Sequence, residues 1–118
     1  MRKYQKLEVW GLSMKLVEDI YEITSNFPAG ERFGLISQMR RASVSIPSNI
    51  AEGHGRHSDK EFFRFLSIAR GSLYELETQL EIAKRINLIT QDEIGENLTE
   101  KLHAKLNSLM NIVKASGV

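Results

Sequence analysis

Seven apolar residues, Phe62, Leu66, Ala69, Leu73, Leu76, Leu80 and Ala83, follow one another at alternating steps of four and three without a gap. An α-helix turns once every ~3.6 residues, so such a ladder lies on one face of a single long helix. A face of that length cannot stay in water, and it demands partners with matching faces. Three further segments supply them. Val9, Leu16, Ile20, Ile23 and Phe27 form one, with Ser13 filling a gap in the stripe. Leu35, Met39, Ala42 and Ile46 form the second, and Ile94, Leu98, Leu102, Leu106, Leu109 and Val113 the third. No segment alternates apolar and polar residues as a strand would. The pattern predicts an all-α fold, an antiparallel up-down-up-down four-helix bundle spanning residues 1–118 as one domain. A repeat near 3.5 residues further predicts shallow, left-handed helix crossings.

The breaks between ladders carry their own signals. Pro28 and Gly30 in "NFPAGERF" end the first helix. Ser58 and Glu61 in "SDKE" have the spacing of a capping box and mark the start of the third. "TQDE", Thr90 to Glu93, repeats that spacing ahead of the fourth. No cysteine is present, which removes disulfides and thiolate metal sites from consideration. The N-terminal "MRKYQKLEVWGLSMKLV" is basic, but Glu8 and Lys15 interrupt any signal-peptide core. No apolar run approaches the ~20 residues that span a bilayer. A cytoplasmic protein without membrane association is the expectation.

One segment departs from the regular pattern. "RRASVSIPSNIAEGHGR", Arg40 to Arg56, places Pro47 on a helical apolar stripe. Proline lacks the N–H that would bond the Ser43 carbonyl and its ring crowds that turn, so the second helix is expected to kink near Pro47 or end close by. Ala42, Ser43, Ser45, Ser48 and Ala51 around it are small, as are Gly71 and Ser72 on the third helix. Small residues let two helix backbones approach closely, and serine hydroxyls can serve freed carbonyls. The segment runs into "EGHGRHS", where Glu52, His54 and His57 invite comparison with a metal site. Two histidines on a glycine-flanked loop, with no rigid third ligand, do not match catalytic zinc geometry. Phosphate loops follow a strand, and none precedes this one.

Net charge is only +1, yet its distribution is polarised. Residues 32–72 hold seven Lys/Arg against three acids, and residues 73–100 hold seven acids against two bases. Arg56, Lys60 and Arg64 recur every four residues at the start of the third helix, where free N–H groups favour anions. Arg40 and Arg41 join them if the bundle brings them round. These five are the candidate nucleic-acid contacts; two solvated helix faces of opposite sign are the alternative. No catalytic arrangement stands out: there is no nucleophile elbow, no H-E-x-x-H and no cysteine. Glu75, Glu77 and Glu81 lack the inward Glu-x-x-His spacing of a di-iron bundle, and His103 reads as a surface or boundary residue. The sequence points to no catalytic residue, no cofactor and no metal, and hence to a protein that is not an enzyme. Trp10, Met14, Val17 and Tyr21 form a second apolar stripe on the first helix, as do Phe65, Ile68, Ile82 and Ile86 on the third. They widen the core or form a subunit interface; the residues alone leave both open.

With "RRASVSIPSNIAEGHGR" followed by "KEFFRFLSIARGSLYELETQL", the sequence resembles the intervening-sequence proteins encoded within inserts of bacterial 23S rRNA genes. The resemblance runs from about Leu7 into the fourth helix. It implies an antiparallel four-helix bundle assembled into rings of five, which would assign Trp10, Met14, Val17, Tyr21, Phe65 and Ile68 to subunit contacts. Accessory proteins of diversity-generating retroelements, a related branch, form similar pentamers that bind nucleic acid, but they are strongly basic, unlike this chain. The resemblance lends no support to a metal site. The leading expectation is therefore an oligomeric, non-enzymatic scaffold touching RNA or DNA, or an RNA-bound partner, through Arg40, Arg41, Arg56, Lys60 and Arg64. The alternative is an assembly module that binds only protein.

Overall fold

The computed structural model describes residues 1–90 and 97–116, and among these there is helix and no strand. Helix α1 spans Glu8–Thr24, α2 Ser37–His54, α3 Asp59–Arg85 and α4 Leu98–Ala115. A single 3-10 turn, Lys3–Lys6, precedes α1. The break expected at "NFPAGERF" is a 3-10 turn at Ala29–Glu31 followed by one wide turn at Arg32–Ile36. Gly34 there leaves helical geometry, with φ −112° and ψ −108°. The capping spacing at Thr90–Glu93 and the stripe position Ile94 lie outside the described residues.

Contacts between consecutive helices run in opposite chain directions. Along α1 and α2, Trp10 shares a groove with Ala51 while Tyr21 lies beneath Arg40. Along α2 and α3, Ser45 meets Ser72 and Gly53 meets Phe65. Along α3 and α4, Arg70 bonds Asn107 and Glu77 bonds His103. The helices therefore run up, down, up and down. The apolar ladders meet in one core: Leu16, Ile20, Met39, Ile46, Ile50, Leu66, Leu73, Leu76, Leu102 and Leu106 have no meaningful exposure. Several assignments shift: Leu35 precedes α2 and is half-buried, as is Leu80. Phe65, read as a second-stripe residue, is buried at 6% exposure while Phe62 is half-buried. On α4, Met110 is buried and Leu109 half-buried.

Helix α3 starts where the sequence signals, but only the Ser58 half of the capping box forms. Ser58 Oγ accepts from the Glu61 N–H at 3.1 Å, satisfying one of the orphan donors of the first turn. The Glu61 carboxylate bonds Arg64. Pro47 sits inside α2, and the helix continues to His54. Just beyond it, Asn49 Nδ2 donates to the Ser45 carbonyl at 2.8 Å, and the Ser45 hydroxyl bonds the Ser72 hydroxyl at 2.8 Å. The small residues thus tie α2 to α3. At Gly53 the approach is so close that a Cβ would collide with the Cβ of Phe65.

Candidate functional site

The turn between α2 and α3 gathers one cationic group. Arg56 leaves the end of α2, and Lys60 and Arg64 occupy the first two turns of α3. Arg64 straddles the Glu61 carboxylate, with Nε at 3.0 Å and Nη2 at 3.2 Å. Arg56 Nη2 donates to Glu52 at 3.2 Å. Both guanidiniums also stand over the ring of Phe65, at 5.0 Å and 4.6 Å from its centroid. A buried ring below and carboxylates alongside hold the two arginines in place, each with donors left over. Arg64 holds the Glu61 carboxyl below its ordinary value, chiefly through their hydrogen bond. Lys60 is exposed and has no ion-pair partner among the described residues.

The N-terminal turn adds to this end of the bundle. It packs on both α1 and α2, and Tyr4 lines a groove with Pro47 and Ala51 while meeting Trp10 edge-on at 5.6 Å. Lys3 and Lys6 flank Tyr4 on this turn and are exposed. The sequence reading missed them because they lie some 50 positions from Arg56 in the chain; the aromatic pair Tyr4 and Trp10 was the available signal.

Arg40 and Arg41 lie elsewhere. At ~1.5 Å per residue they stand roughly 20 Å from the His54 end of α2. Arg40 is half-buried against α1: its Nε donates to Thr24 Oγ1 at 2.8 Å and its guanidinium covers the Tyr21 ring at 4.5 Å. Arg41 faces α3 across a groove also lined by Gln38, Glu75, Thr78, Gln79 and Ile82. The five candidate contacts therefore form a cluster of three, one packing residue and one groove residue.

The candidate interface residues also divide. Trp10, Met14 and Val17 line a mainly apolar groove of about 340 Å³, completed from α2 by Val44, Pro47, Ser48 and Ala51. Tyr21 lies at the Arg40 end of the same stripe, partly exposed. Phe65 is buried under Arg56 and Arg64, and Ile68 is exposed on α3. The histidines have packing partners. His54 meets Phe62 edge-on at 5.5 Å, and His103 bonds Glu77 at 2.8 Å beside the Tyr74 ring, joining α3 to α4. Among the described residues no group of three His, Cys, Asp or Glu is placed to hold a metal, and no helix is long and apolar enough to cross a membrane.

The profile of the 23S rRNA-intervening sequence proteins matches residues 5–114. A solved structure from Bacteroides thetaiotaomicron, described as a protein with unknown function from the S23 ribosomal protein family, is 24% identical. The alignment covers 91% of this chain and 95% of that one, with a TM-score of 0.64. At that identity the likeness speaks for the fold. No curated protein matches the chain.

Proposed function

The chain belongs to the 23S rRNA-intervening sequence protein family, and from that premise we propose a cytoplasmic, non-enzymatic, self-assembling bundle that contacts RNA, or a partner carrying RNA, through the end where α2 turns into α3. The observation that carries the reading is Arg56 and Arg64 standing together over Phe65, with exposed Lys60 on the first turn of α3. A pair of guanidiniums steadied over one ring, beside a free lysine and a helix N-terminus, suits phosphate oxygens without selecting a base sequence. Arg40 leaves the set, since its donors already serve α1. Five copies, as the resemblance suggests, would repeat this basic end around one rim.

Fluorescence anisotropy with labelled structured RNA, and separately with duplex DNA, tests the reading at about 50 and about 200 mM salt. Binding should weaken steeply with salt and vanish when Arg56, Lys60 and Arg64 are all alanine. No binding at the lower salt rejects it. A second reading, protein-only assembly, is favoured by the carboxylates of Glu52 and Glu61 that already occupy Arg56 and Arg64. In that case the anisotropy stays flat while the oligomer persists at both salts.

A further inference from the structure

We propose that the arginine pair over Phe65 takes unpaired nucleotides of RNA, with a base stacked on the outer face of a guanidinium, in preference to the backbone of a duplex. The inference rests on the RNA-contact reading above and names the class of RNA that this end of the bundle accepts.

The setting of the two arginines carries the argument. Arg56 and Arg64 each hold a guanidinium over the one Phe65 ring, with Cζ 5.0 Å and 4.6 Å from its centroid. The ring covers one side of each group, yet the two side chains remain 47% and 55% exposed, so the other side faces solvent. One carboxylate apiece, Glu52 for Arg56 and Glu61 for Arg64, engages the edge of the plane. A guanidinium is planar, delocalised and less hydrated than an ammonium, and an unpaired base stacks on it as on an aromatic ring. Groups already steadied by a ring and a carboxylate lose little further freedom when a base arrives. Inside a helix the faces of a base are taken by its neighbours, so only loops, bulges and ends can offer one.

The charge pattern argues the same way. Between positions 52 and 64 the cations Arg56, Lys60 and Arg64 alternate with Glu52, Asp59 and Glu61. A duplex is stiff and carries one charge per ~1.7 Å of its axis, so laying it over the arginines also sets phosphates against those carboxylates. A single strand can bend between them. The two Cζ atoms are no farther apart than the sum of their distances to the shared ring centre, which suits neighbouring nucleotides of one strand. Every base has a π-face, so the contact selects unpaired RNA without selecting a sequence.

Fluorescence anisotropy with the full chain tests this on three labelled probes, each about 12 nucleotides long. They are an unstructured RNA strand, the blunt duplex of that strand, and an abasic strand with the same phosphates. Near 50 mM salt, wild type should bind the unstructured strand roughly tenfold tighter than either of the others, about the worth of one stacked base. The double variant Arg56→Lys, Arg64→Lys keeps both charges and removes both planes. It should bind the unstructured strand no better than the abasic one, while its abasic affinity and its salt dependence stay as in wild type, which also shows that it is folded. Loss of abasic binding in this variant counts against the inference, because the arginines would then be serving phosphates. Wild type that binds duplex or abasic strand as tightly as the unstructured strand, or a lysine variant that keeps the preference, overturns the inference and leaves the RNA-contact reading standing. Failure of all three probes to bind overturns both.

Discussion

Arginines stand near both ends of α2, in different surroundings. Near its N-terminus, Arg40 is packed into the junction with α1, its Nε on the Thr24 hydroxyl, a second contact to the Tyr21 carbonyl and its plane on the Tyr21 ring. Past its C-terminus, Arg56 and the nearby Arg64 stand over Phe65 and bond exposed carboxylates. A hydroxyl and a carbonyl inside the fold cannot be exchanged without disturbing two helices. A solvated glutamate can be displaced by a phosphate, since exposed pairs of this kind contribute only about 0–1 kcal/mol. Availability of a charge therefore follows from the permanence of its partners, and the two ends of one helix separate a packing arginine from a pair whose partners are solvated.

The contrast can be broken or sharpened experimentally. The largest effect is expected at Gly53, where α2 meets the residue that supports both arginines. Gly53→Leu drives a side chain into Phe65 and should cost about 3 kcal/mol in denaturant unfolding, as strong overpacking does; a neutral result would mean the approach of α2 to α3 is looser than described. Next is the triple change of Arg56, Lys60 and Arg64 to alanine. It should lower RNA affinity by roughly 100-fold near 50 mM salt and cost about 1 kcal/mol of unfolding stability, because two guanidiniums leave the Phe65 ring. Arg40→Ala should separate the two effects, costing about 1–2 kcal/mol of stability and leaving RNA affinity within error. Loss of RNA binding in that variant would erase the distinction. The smallest effect belongs to Glu61→Gln. Because Arg64 keeps this carboxyl ionised below its ordinary range, removing the charge frees donors and should raise RNA affinity about two- to threefold at neutral pH, read in the same anisotropy assay. Weaker binding would show that Glu61 positions Arg64 for its ligand.

Much of the α3–α2 relationship could be read directly from the residues. The ladder from Phe62 to Ala83 gives the core face because burial repeats with the helix turn, and Ser58 marks the start because its hydroxyl meets a local N–H. Phe65 shows the limit of that reading. It sits on the edge of the stripe, and whether an edge position is covered depends on what a neighbour places over it; here Gly53 and two arginines cover it. Gln79 shows the converse, a polar residue carried inside by the same register.

The candidate site was legible only in part. Arg56, Lys60 and Arg64 group together because they are close in sequence on one helical turn spacing. Arg40 and Arg41 separate from them because the length of α2 intervenes, and from each other because adjacent helical residues point about 100° apart. The turn that carries Lys3 and Lys6 is held against α1 and α2 by the packing of Tyr4 beside Trp10.

By itself, then, the sequence determined four amphipathic helices, their order, the turn that starts α3 and the polarity of charge, all of which depend on period and near neighbours. Only the tertiary structure decided which arginines are engaged, that Val44 completes a groove begun by α1, and that Arg41, Glu75 and Gln79 share another. Those outcomes depend on side chains from different helices meeting, and such meetings are set by how the helices rotate and slide against each other in packing, which no single stretch of sequence encodes.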